Sequence, residues 1–258
     1  MARTDYSGRM AGAYDRGRAL EAAAVEAWAA AVGPFLPRHP AGPVLDLGSG
    51  TGRFSGHLVA WAGAPVVAVE PAAAMAEQAR DKGATGVHVA VGAAEAIPLR
   101  DGSVAAAWLS QVIHHVPDLA RAAGELARVM RPGASVMLRG ATGRDGDGNA
   151  PSRDFAIYRY FPAAGAVADG FPSRRTIVDA FRGAGFVEIA ATKVAQVTAT
   201  SLRSLYERTC QRADSTLAAI DDDFAAGLDA LRRDAEAETR PTPVVDRVDL
   251  IVLRLGGA

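Results

Sequence analysis

The segment Val44-Leu45-Asp46-Leu47-Gly48-Ser49-Gly50-Thr51-Gly52 sets a carboxylate two residues ahead of three alternating glycines. Glycine reaches backbone shapes closed to other residues and lets a ligand lie against bare main chain. Free N–H groups at the start of a following helix favour an anionic group. A dinucleotide fingerprint needs glycine at the first, third and sixth positions; counted from Gly48, the sixth is Arg53. Asp46 would also repel a pyrophosphate. It suits a ligand that presents an ammonium group, as the methionine end of S-adenosylmethionine (AdoMet) does. Glu70 lies 20 residues after Gly50, at the end of the next apolar run. A carboxylate there can accept hydrogen bonds from both hydroxyls of a ribose. A turn of purely structural purpose is the competing reading, and the two carboxylates weigh against it.

Two further groups could act on a second reactant. His114 and His115 follow an apolar run, VAAAWL (104–109). Histidine titrates near neutrality, so either can serve as a general base. One that caps the next helix would do no chemistry, and only one of the pair is expected to point into a pocket, with His115 preferred. Residues 155–162, FAIYRYFP, concentrate Phe155, Tyr158, Tyr160 and Phe161. With Tyr206 and Cys210 from a later helix, these could wall a site for a ring or an apolar chain. They could equally be core.

Such groups meet only if the chain brings loop ends to one edge. Short β-branched runs at 43–47, 65–69, 87–91, 104–109 and 135–139 predict strands. Helices are expected at 18–32, near 58–62, and at 72–81 and 118–130. That alternation is the βαβ pattern of a parallel sheet. Right-handed crossovers then line the loops after the strands along one edge, where ligands bind. The second half predicts helices at 174–184, 201–213 and 221–238 and strands at 186–198 and 246–255, with no internal repeat.

The totals narrow the class. With 28 Lys+Arg against 29 Asp+Glu, no basic excess points to nucleic acid. Cys210 is the single cysteine, which excludes an internal disulfide, a cysteine-based metal site and an iron–sulfur cluster. No metal is expected. The first residues lack the apolar core of a secretion signal, and no run approaches the roughly 18 apolar residues of a membrane span. A cytoplasmic chain with no membrane insertion is the expectation.

VLDLGSGTGRF resembles the first motif of the class I AdoMet-dependent methyltransferases, in particular the small-molecule group related to the ubiquinone/menaquinone biosynthesis enzymes. VAVEPAAAM is similar to the second, VGAAEAIPLRDGSV (91–104) to the third, and AWLSQVIHHVPDLARAAGELARVMRPGA to the fourth strand, its helix and the turn beyond. The likeness covers residues 6–140 well and the rest loosely.

The resemblance implies an α/β, Rossmann-like doubly wound sheet of seven mostly parallel strands in one domain over 1–258. An N-terminal helical lid (1–36) and C-terminal helical insertions within 141–240 would complete it. It implies AdoMet contacts from Asp46, Gly48, Ser49 and Gly50, from Glu70 and Pro71 at the ribose, and from Met75 near the adenine. The acidic residue often found at the adenine amino group is replaced by Ala93, so that contact passes to Ala94 or Glu95. Ser110 and Gln111 would line the methyl-donor end. In AYDRGR, Tyr14 matches a lid tyrosine that closes over the cofactor; an apolar stripe of Tyr6, Met10 and Tyr14 that docks the segment is the other reading. The implied activity is methyl transfer to a small-molecule acceptor, with Tyr158, Tyr160, Phe161 and Tyr206 as candidate acceptor contacts. A nicotinamide-dependent oxidoreductase and a catalytically idle binding protein are the alternatives. Ser110-Gln111-Val112-Ile113 stands where methylases of adenine or glutamine amino groups carry Asn-Pro-Pro-aromatic, which disfavours those substrates.

Overall fold

The structure is a computed structural model and describes residues 20–37, 41–144, 155–221 and 223–257. Strands β1 (Val44–Leu47), β2 (Val66–Glu70), β3 (Val87–Val91), β4 (Val104–Ser110), β5 (Met130–Gly140), β6 (Phe186–Ala199) and β7 (Val244–Leu255) form one sheet. Their order is β3-β2-β1-β4-β5-β7-β6. Only β7 runs against its neighbours, β5 and β6. Strand order reverses between β1 and β4, so the crevice beyond their C-terminal ends is a topological switch point, where open α/β sheets bind ligands.

Burial on both faces explains the unbroken apolar runs. Along β1 and β4, Leu45, Leu47, Ala107 and Leu109 join one core cluster, while Val44, Ala106 and Trp108 join the other. The first cluster packs helices α4 (Leu119–Val129) and α6 (Arg174–Gly183). The second packs α1 (Ala22–Val32) and α2 (Ser55–Ala62). Helix α3 (Ala73–Asp81) follows β2. Caps fix where helices begin: Asp118 accepts from the Arg121 N–H at 2.9 Å, and Ser173 from the Thr176 N–H at 3.1 Å.

The second half departs from the sequence expectation in two places. Pro162 opens a helix, α5 (Pro162–Asp169), where only an aromatic cluster was expected; proline at a first turn loses no helical hydrogen bond. The helix expected at 201–213 stops early as α7 (Leu202–Thr209), Arg212 adopts a left-handed φ of 47°, and a short α8 (Ser215–Ala218) follows. Helix α9 (Phe224–Ala237) closes this part. These helices have small cores of their own, built on Phe161, Leu217 and Ile220 and on Leu205, Leu231 and Val244. They stand beside the crevice as a cap.

Candidate active site

After β1 the chain turns through Gly48, Gly50 and Gly52 at φ of 68°, 57° and 76°, a region that side chains disfavour. At Gly48 the constraint is double, because a Cβ would lie 2.2 Å from Val112 Cγ2. The Gly48 and Ser49 N–H groups donate to the Val69 carbonyl at 2.8 and 3.2 Å, tying the turn to β2. Helix α2 begins only at Ser55, so the N–H groups nearest the crevice belong to the glycine turn itself.

Glu70 is 6% exposed. One carboxylate oxygen accepts from the Gly50 N–H at 2.8 Å and the other from the Ala72 N–H at 2.9 Å. Burial raises its pKa, and the two amides oppose that shift. Each oxygen keeps acceptor capacity beyond the amide it holds, so the group is oriented and still able to take hydroxyls. Asp46 stands behind the turn, 2% exposed, with Ser55 Oγ donating to it at 2.7 Å. Burial pushes its pKa up to about 7 against a usual 3.8, with Glu70 adding to the rise.

A cavity of about 1080 Å³ opens along this edge. Gly48, Gly50, Glu70, Pro71 and Met75 line one end, with Ser110 and Gln111 from the end of β4. Gln111 has a left-handed φ of 54°, and its N–H donates to the Arg139 carbonyl at 2.6 Å. Non-glycine residues held in this way cluster at functional sites. Asp46 and Ser49 are not among the lining residues, nor are Ala93, Ala94 and Glu95 on the β3–β4 connection. Tyr14 lies outside the described residues.

Both histidines line the cavity, against the expectation that only one could. A tight turn over Ile113–His115 carries them there. The His114 ring stacks on Phe171 with centroids 4.0 Å apart and planes at 10°, and lies 4.1 Å from the His115 ring. Of the four acceptor candidates, Tyr158 lines the cavity, together with Phe155. Phe161 is fully buried in the cap, where Gly227 leaves it room: a Cβ there would sit 2.6 Å from the ring. Tyr206 packs beside Leu205 and Leu231. Tyr160 donates its hydroxyl to Asp234 at 2.8 Å and does not line the cavity. Tyr160→Phe is therefore expected to lower stability by about 1 kcal/mol in urea unfolding and to leave turnover unchanged.

Several lining residues escaped the sequence reading: Arg139, Phe171, Gln196, Arg208 and Asp246. Arg139 ends an apolar run, SVMLR, and a lone charge closing a buried strand was the available signal. Gln196 and Asp246 face each other across the β6–β7 ladder, a pairing that no local pattern discloses.

Comparison with known proteins agrees with this layout. Residues 45–138 match the family model described as a methyltransferase domain. An uncharacterised methyltransferase of Mycobacterium tuberculosis is 42% identical over 131 residues, 51% of this chain and 50% of that protein. The chain thus spans about half the length of such a relative. A malonyl-[acyl-carrier protein] O-methyltransferase of Methylococcus capsulatus is 32% identical over 185 residues, 70% of this chain and 64% of that one. Among solved structures, a geranyl diphosphate methyltransferase in complex with GPP and sinefungin superposes with a TM-score of 0.57 at 21% identity, over 89% of this chain and 77% of that one. The [4+2]-cyclase SpnF gives 0.63 at 18% identity, over 94% and 84%. Residues 45–138 are thus similar to a methyltransferase domain, and the chain shares its α/β fold with methyltransferases of solved structure.

Proposed function

We propose that this protein transfers a methyl group from AdoMet to a small-molecule acceptor in a biosynthetic reaction of the cytoplasm. The observation that carries the reading is Glu70: a buried carboxylate beside a glycine turn, held by the Gly50 and Ala72 amides at the strand-order switch. Its spare acceptor capacity fits a ribose diol, and the bare main chain of Gly48 and Gly50 fits close approach by the amino-acid end. Only glycine at 48 lets the turn pack this closely against Val112, and the turn's bare main chain at Gly48 and Gly50 lines the cavity. When bound, AdoMet supplies a methyl on a sulfonium, whose carbon–sulfur electron pair returns to sulfur as the methyl leaves.

The chain's own residues do the rest. Ser110 and Gln111 hold the end of β4 against the donor, and alignment of this kind can contribute roughly 7–11 kcal/mol of a barrier. Phe155, Tyr158 and Phe171 exclude water from the acceptor end. His114, stacked on Phe171, positions His115, which takes the proton from a neutral acceptor. Calorimetry with AdoMet and S-adenosylhomocysteine tests the donor site: binding of both, and none of NADH, is expected, and the reverse preference would return the oxidoreductase alternative. His115→Gln should lower kcat by about 10²–10⁴-fold, the range for a lost general base, with AdoMet affinity nearly unchanged. Equal loss of both would assign His115 a structural role.

No helix among the described residues is long and apolar enough to cross a membrane, and the balanced charge favours neither a membrane surface nor nucleic acid as partner. One domain, with a cap within 141–240, is the organisation we infer; of the lid expected over 1–36, residues 1–19 lie outside the described residues and the remainder carries α1, which packs into the core.

A further inference from the structure

We propose that Gln196 and Asp246 recognise the acceptor as a hydrogen-bond donor and acceptor set side by side, so that the acceptor presents a carbonyl oxygen next to an N–H or O–H, as a carboxamide does; the inference rests on the methyl-transfer reading above. Gln196 is 8% exposed and Asp246 5%, and both line the cavity. They stand opposite each other in the β6–β7 ladder. Residues paired in this way carry Cβ atoms about 5 Å apart on one face of a sheet. Their side chains therefore reach the crevice together.

The Gln196 amide has a fixed orientation. The Trp28 indole N–H donates to Oε1 at 2.8 Å, and Arg139 Nη2 does so at 2.5 Å. An indole N–H and a guanidinium can only donate, so the amide atom they share is the oxygen. Two N–H groups are left on Nε2, which meets no acceptor among the described residues. A donor on so buried a side chain costs free energy until something accepts from it. Asp246 has the opposite character. One oxygen accepts from the Ala156 N–H at 2.8 Å and the other from Thr198 Oγ1 at 2.5 Å, and each keeps acceptor capacity beyond that bond. Burial raises its pKa, while Thr198, Ala156 and the charges of Arg139 and Arg208 oppose the rise.

A carbonyl oxygen can accept from Nε2 while the neighbouring N–H or O–H donates to the carboxylate. Arg139 Nη1 also donates to Ser110 Oγ at 3.1 Å, so the recognised group lies one guanidinium away from the end of β4. Phe155, Tyr158 and Phe171 take an apolar body.

The test compares 4-phenylbutanamide with its methyl ketone analogue, in which a methyl replaces the amino group, by calorimetry on protein saturated with S-adenosylhomocysteine. The amide is expected to bind at least ~10-fold tighter, because the ketone keeps the carbonyl but gives Asp246 no donor. Asp246→Asn should erase that preference. Gln196→Glu keeps an oxygen for Trp28 and Arg139 and puts a second oxygen in place of Nε2; it should weaken both probes by about 10-fold or more. Both variants should hold S-adenosylhomocysteine within about threefold of wild type. Wild-type protein that treats amide and ketone alike, or takes neither, overturns the inference. So does an Asp246→Asn variant that keeps the preference, a Gln196→Glu variant that binds both probes undiminished, or a variant that loses the probes and S-adenosylhomocysteine equally. Wild-type protein that fails to bind S-adenosylhomocysteine overturns the methyl-transfer reading instead, and this inference with it.

Discussion

Replacing Gly48 with alanine is expected to abolish measurable binding of S-adenosylhomocysteine and to lower stability by roughly 2–6 kcal/mol. Two costs combine. A φ of 68° places a side chain in the left-handed region, at roughly 1–3 kcal/mol. The new Cβ would also meet Val112 Cγ2 at 2.2 Å, and relieving such overpacking costs roughly 1–3 kcal/mol. Relief requires the turn or Val112 to move, and both lie where the β1 and β4 ends meet at the cavity. The cofactor cradle is therefore disturbed even where the fold survives. Gly50→Ala, at φ 57°, incurs the first cost and should bind weakly from a more stable protein. Gly33→Ala is the control: its φ is −49° and nothing lies within 4 Å of the added Cβ. Urea unfolding and calorimetry on the three variants check the order. Undiminished binding by Gly48→Ala would show that the turn does not touch the ligand.

The features legible beforehand were those written locally in the chain. Val44–Leu47 is apolar because both its faces are covered, and it ends where glycine first appears, so strand, turn and ligand edge could be read together. Glu70 was found because the end of a strand is fixed by the same alternation. The cap was less legible. Its helices are short, and Phe161 and Tyr160 owe their positions to Gly227 and Asp234, more than sixty residues away in sequence. A clustered set of aromatics says only that something is buried there. Arg139 and Gln196 became neighbours through the antiparallel return of β7 between β5 and β6. Nor does the fold select the reaction: a [4+2]-cyclase shares this architecture. The acceptor end, and not the sheet, is where chemistry must be sought.

Asp46→Asn should stabilise the ligand-free protein at pH 8 by an amount on the order of 4 kcal/mol, and hardly at all below pH 4. In the folded chain burial holds the Asp46 pKa near 7, against an ordinary 3.8. The native state therefore binds a proton that the unfolded state has released over that interval. Stability from this group is fully present below 3.8 and is lost as pH rises to about 7, at roughly 1.4 kcal/mol per pH unit. Asparagine removes the charge and keeps an oxygen for Ser55 Oγ, so the variant should lack this part of the slope. Asp246, also raised by burial, titrates in both proteins and cancels in the comparison; Glu70, whose charge adds to the rise at Asp46, is relieved of that repulsion in the variant, which belongs to the same gap. Urea unfolding at pH 8, 6 and 4 reads the difference directly, and a pH-independent gap between the variant and wild type would refute the buried-charge account. A carboxylate kept at such a cost implies a compensating cation. If that cation is the ammonium of the methyl donor, binding at pH 6.5 must expel the Asp46 proton. The heat of binding should then vary with the ionisation enthalpy of the buffer. In Asp46→Asn that proton release should disappear along with part of the affinity.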